Sequence, residues 1–137
     1  MSIPNMLKTA VKSLGVMFLA WTACVPVLLI PGVHFLLIVI VPLVPFVVSY
    51  RQAQKTSTQA NSVGMDGLTF GFVIGVAILL GLIILLVLGN QLDWYKFEGR
   101  TRAIVWIVVL IAPLYSGSMS ALGFMYGILK KAKSEGN

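Results

Sequence analysis

Hydrophobic and polar positions fall in blocks along this chain. No Lys, Arg, Asp or Glu occurs from 13 to 50, from 67 to 92 or from 103 to 129. A charged side chain at the centre of a bilayer costs at least about 2.5 kcal/mol. The three charge-free blocks therefore predict three membrane-embedded regions. Hydrocarbon offers the backbone no hydrogen-bond partner, so each region is predicted helical. Leu68 to Leu88 reads as one helix, about 32 Å long against a hydrocarbon core of about 30 Å, stopped by Gly89-Asn90. Ala103 to Leu129 reaches about 40 Å and must tilt or kink, with Pro113 as the expected kink.

The first block would span roughly 57 Å as one helix. Pro31-Gly32 divides it into Leu14 to Ile30 and Val33 to Tyr50, a tight Pro-Gly hairpin. Pro26, Pro42 and Pro45 weaken both arms and leave a re-entrant loop as the alternative. The predicted fold class is an all-α integral membrane protein: one polytopic domain over 1–137, with four transmembrane helices at about 14–30, 33–50, 68–88 and 103–129. In this arrangement Lys8, Lys12, Arg51, Lys55, Lys130, Lys131 and Lys133 share one side. Lys96, Arg100 and Arg102 lie opposite, offset by Asp93 and Glu98. The positive-inside rule then places both termini in the cytoplasm and the chain in the cell (inner) membrane. Tyr50 and Tyr126 serve as inner aromatic anchors, and Trp94, Tyr95 and Trp106 as outer ones. Trp21 lies deeper and requires a partner for its indole N–H. Met6, Leu7, Ala10, Val11 and Leu14 share a face beside Lys8 and Lys12, which reads as a short interfacial lead-in.

Composition supports the lipid reading. Of 137 residues 58% are hydrophobic and 10% charged, whereas a soluble domain carries about 25% charged residues. The net charge of +6 points to anionic lipid rather than nucleic acid. One Cys and one His exclude a disulfide framework within the chain and a Cys/His zinc site, and no metal site is expected. Cys24 reads as a small buried hydrophobe.

Small residues dominate two helix faces. Gly67, Gly71 and Gly75 recur every four residues, and Ser116, Ser120, Gly123 and Gly127 form a matching surface on the last helix, with Gly117 and Ala121 alongside. Lipid supplies no hydrophobic drive between helices, so close approach over small residues does. These ridges are predicted to join the third and fourth helices, or to meet a copy or a partner. Pro42, Pro45 and Pro113, with Ser116 and Ser118, form a candidate solute pathway, since broken helices with midplane polar groups mark transporter sites. The opposing account is local satisfaction of freed backbone groups, and no intramembrane acid or base joins the set.

His34 opens the second helix. It is either an interfacial histidine bonded to a loop carbonyl or a single ligand to a tetrapyrrole, chlorophyll or a haem shared with a partner. Lys130, Lys131 and Lys133 read as a lipid-headgroup anchor. No nucleophile, base and acid set is present, and the glycines lack the Lys-Ser/Thr of a phosphate loop, so no enzyme activity is expected. The leading expectation is a small accessory subunit acting by helix-helix packing in a larger membrane complex or homo-oligomer. An oligomeric channel or transporter is the rival, and pigment or haem binding through His34 the weaker one. Expected partners are membrane lipids and other membrane subunits or copies of itself, with no nucleic acid.

Overall fold

The structure, a computed structural model, describes residues 3–29, 34–56, 62–92 and 99–135. The described residues form four α-helices: α1 (Ile3–Cys24), α2 (His34–Gln54), α3 (Val63–Gln91) and α4 (Gly99–Glu135), with a 3₁₀ turn at Pro26–Leu29 after α1. Two helices, over Val63–Gln91 and Arg100–Ser134, are long and apolar enough to cross a membrane. The Pro31-Gly32 turn proposed for the hairpin lies outside the described residues.

Every helix differs from its expected bounds, for local reasons. α1 begins at Ile3 rather than Leu14, so the lead-in and first arm are one helix. Pro4 falls in its first turn, where its missing N–H is not needed. Met6, Ala10, Ser13 and Met17 are its buried residues, and their 4-3-4 spacing carries one stripe past Leu14. Leu7 and Val11, expected on the same face, are exposed. α1 ends at Cys24, ahead of Pro26, and the Val25 N–H donates to the Thr22 carbonyl at 3.1 Å as the turn tightens. α3 starts before the charge-free block: Asp66 stands in its first turn, favoured by the positive end of the helix dipole, and accepts a 2.8 Å hydrogen bond from Ser62 Oγ. It also runs past Gly89-Asn90 to Gln91, where the Leu92 N–H donates to the Leu88 carbonyl at 2.9 Å. α4, at 37 residues, would reach about 55 Å. α4 is unbroken through Pro113, and α2 through Pro42 and Pro45.

Four hydroxyls in these helices donate to the carbonyl one turn back, at 2.7–2.9 Å: Thr9 to Asn5, Thr22 to Phe18, Thr69 to Met65 and Ser118 to Leu114. Each satisfies its own polar group without a neighbour, as an apolar environment requires.

α4 is the hub. It makes the two broadest interfaces, with α3 and with α2, while α1 packs on α2 and α3. Among the described residues, α2 does not touch α3, nor α1 α4, so the order around the bundle is α1, α2, α4, α3. The core draws on Met6, Ala10 and Met17 from α1, Val48 and Ala53 from α2, Val63, Phe70 and Ile74 from α3, and Phe124 and Ile128 from α4. The start of α1, the end of α2, the start of α3 and the end of α4 therefore gather at one end of the bundle. The other halves of α3 and α4 spread away from this core, and Leu80, Ile84, Leu85, Leu88, Ile104, Ile107, Leu110 and Ile111 are all exposed.

Candidate functional site: glycine seams and a basic end

The ridge on α3 faces α4 along its length. A β-carbon added at Gly71 would overlap the Gly117 carbonyl oxygen and lie 2.6 Å from the Ala121 Cβ. At Gly75 it would lie 3.1 Å from the Pro113 carbonyl oxygen, and at Gly67 it would overlap the Met125 side chain. As α3 advances through 67, 71 and 75, its partners on α4 recede from Met125 to Pro113, so the pair is antiparallel. The stacked rings of Phe70 and Phe124, 4.4 Å between centroids, fill the core beside this seam.

The facing surface of α4 is the expected one only at Gly117 and Ala121. Pro113, Gly117, Ala121 and Met125, spaced by four, meet α3. Gly123 and Gly127 meet α2 instead. A β-carbon at Gly123 would overlap the Phe46 carbonyl, and one at Gly127 would lie 2.7 Å from both the Tyr50 carbonyl oxygen and the Ala53 Cβ. Because 46 pairs with 123 and 50 and 53 with 127, α2 and α4 run parallel. Among the described residues, a β-carbon at Gly15, Gly64 or Gly81 would meet nothing within 4 Å.

Of the expected pathway residues, two share one groove. Pro113 and Ser118 line a groove of about 410 Å³ on the outer side of the α3–α4 pair, with Gly71, Gly75 and Gly117. Ser118 already donates to Leu114. Ser116 and Pro45 are buried, and Pro42 is half-buried. Ser120 is fully buried, and its hydroxyl, like those of Ser13 and Ser49, has no hydrogen-bond partner among the described residues. The Trp21 indole N–H has no acceptor among the described residues.

The basic tail divides by role. Lys130 is exposed, with Nζ 5.7 Å from the centre of the Tyr50 ring, and Lys133 is exposed on the next turn. Lys131 is half-buried, and its Nζ donates to the Thr56 carbonyl at 3.2 Å, tying the end of α4 to the segment after α2. Tyr50 and Tyr126 are 5.8 Å apart, Phe46 lies 6.3 Å from Tyr126, and Gln54 Nε2 donates to the Tyr50 hydroxyl at 2.8 Å. Sequence reading placed these tyrosines and lysines at one membrane face but not against each other. The signal it lacked was the parallel pairing of α2 with α4.

His34 begins α2, and its side chain lies outside the described residues. Cys24 is half-buried rather than buried. No three His, Cys, Asp or Glu side chains gather among the described residues. A second cavity, of about 320 Å³, opens between the far ends of α3 and α4, where Asn90, Arg102 and Trp106 stand among apolar neighbours. In comparisons with family models, curated proteins and solved structures, the chain matches none.

Proposed function

We propose that this chain is a four-span integral membrane protein with both termini in the cytoplasm, acting through helix-helix contact as an accessory subunit of a larger membrane complex or as a homo-oligomer. The observation that carries the reading is the bare outward half of the α3–α4 pair. There, apolar side chains such as Leu80, Ile84, Ile107 and Ile111 are exposed around both helices, on a scale that a protein in water does not sustain. Apart from residues such as Asn90, Arg102 and Trp106 at its far end, the surface of that half is aliphatic. Contact with lipid and with other transmembrane helices is the action it is built for. The glycine seams fit this reading, since they hold the chain's own bundle together and leave its apolar flanks free.

The test is extraction in a mild detergent followed by native electrophoresis and mass spectrometry of the resolved band. The expected result is a second membrane chain, or further copies of this one, at fixed stoichiometry. A lone monomer at every detergent concentration would overturn the reading.

A channel built from several copies is the second reading. Pro113 and Ser118 favour it, since both line the outer groove of the α3–α4 pair, where a neighbouring copy would close a path. It requires solute flux in liposomes that falls when Ser118→Ala is introduced.

A further inference from the structure

The close approach of α2 and α4 at Gly123 and Gly127 creates an exposed seam with a defined polarity. On α2, Phe46, Tyr50 and Gln54 follow at intervals of four; on α4, Tyr126 and Lys130 do the same, and Lys133 comes three later. Such spacings put each set on one helix face, and the ring and cation contacts bind the two faces together. Further from the basic end, Leu43 and Leu122 continue the same faces and are exposed. The seam thus runs from bare aliphatic surface, through a tyrosine pair, to two outward ammonium groups. Lys131, held at the Thr56 carbonyl, stands apart from it. Arg51, near the end of α2, and Lys55, in the turn just after it, are both exposed, so the field there is positive.

We propose that this seam holds one anionic phospholipid. Its phosphate sits at Lys130 and Lys133, its glycerol region against Tyr50 and Tyr126, and its upper acyl chain along Phe46, Leu122 and Leu43. The order of chemistries along the seam matches the order along a lipid entering a leaflet, with tyrosine at the headgroup level and lysine beyond it. The Tyr50 ring, 5.7 Å from the Lys130 Nζ, attracts the ammonium toward the seam. The assignment rests on the membrane reading above, with the basic end in the headgroup layer, but it needs no protein partner.

The experiment is native mass spectrometry of the detergent-purified full chain, titrated with dioleoylphosphatidylglycerol or dioleoylphosphatidylcholine. The expected result is one retained phosphatidylglycerol per chain and no comparable retention of phosphatidylcholine. Lys130→Gln is expected to weaken retention about fivefold, the effect of one basic group at an anionic surface, whereas Lys12→Gln on α1 leaves it little changed. Equal losses from the two substitutions, or equal retention of the two lipids, would overturn the site. Displacement of the lipid by millimolar inorganic phosphate would overturn it too, because the seam would then be selecting a free anion. A chain that lacks any partner but binds phosphatidylglycerol through Lys130 would contradict the accessory role alone. A chain with a partner and no lipid preference would contradict the seam alone.

Discussion

At the scale of single residues, the same residue type has opposite values according to what it faces. Gly71 and Gly81 both lie inside α3, where glycine costs roughly 1 kcal/mol relative to alanine. At Gly81 a β-carbon meets nothing within 4 Å, so Gly81→Ala is expected to raise stability by up to about 1 kcal/mol. At Gly71 the same atom collides with backbone and with Ala121, and backbone in a packed helix pair cannot turn aside. Gly71→Ala is therefore expected to cost about 1–3 kcal/mol through overpacking. Reversible unfolding in mixed micelles, followed by circular dichroism, measures both; equal effects would rule out the close α3–α4 approach. Ser120 presents a second contrast. Its hydroxyl is wholly buried with no partner among the described residues, and such a group carries a desolvation penalty with no bond to offset it. Ser120→Ala is expected to stabilise by about 1 kcal/mol in the same assay, and a loss of stability would reveal a partner for that oxygen.

At the scale of helices, charge-free blocks located the centres of α2, α3 and α4 but not that of α1, nor the ends of any. Lys8 and Lys12 ended the predicted first helix at Leu14. Yet the Met6, Ala10, Ser13 and Met17 stripe stays in phase across them, since lysines on the opposite face do not interrupt a helix. Asp66 lay outside the predicted third helix because it is charged, although the first turn is where an acid is favoured. The ridge on α3 was legible because its three glycines face one partner. The ridge on α4 was not, because α4 divides its small residues between two partners: Gly117 and Ala121 for α3, Gly123 and Gly127 for α2. Nothing in the spacing of one helix states how many neighbours it has. The α3–α4 seam also carries the Phe70–Phe124 stack, both rings fully buried. Phe70→Ala is expected to cost about 3–5 kcal/mol, while Leu85→Ala, on the exposed half of the same helix, leaves stability nearly unchanged. Similar losses at both positions would mean that the outward half is packed rather than bare.

At the scale of the whole molecule, the helix order links fold to orientation. α2 and α4 are parallel neighbours, and Lys131 reaches Thr56, just past the end of α2. With α1 and α3 beginning, and α2 and α4 ending, at one end of the core, the bundle has one face that receives Lys8, Arg51, Lys55, Lys130 and Lys133 together. Moving that face across a bilayer would carry all of these charges through hydrocarbon, at a cost that even the lenient scale puts at about 2.5 kcal/mol each. The proposed orientation would then follow from the packing that gathers the charges, rather than from any one loop. Cysteine labelling tests this directly. In a Cys24→Ser background, Thr58→Cys and Ser134→Cys are expected to react with a membrane-impermeant maleimide only after permeabilisation. Lys96→Cys, between α3 and α4, is expected to react in intact cells. If Thr58→Cys and Ser134→Cys reported from opposite sides, α3 and α4 could not both cross as an antiparallel pair. If all three were shielded in intact cells, the pair would not cross at all, and its apolar halves would have to be covered by protein on the cytoplasmic side.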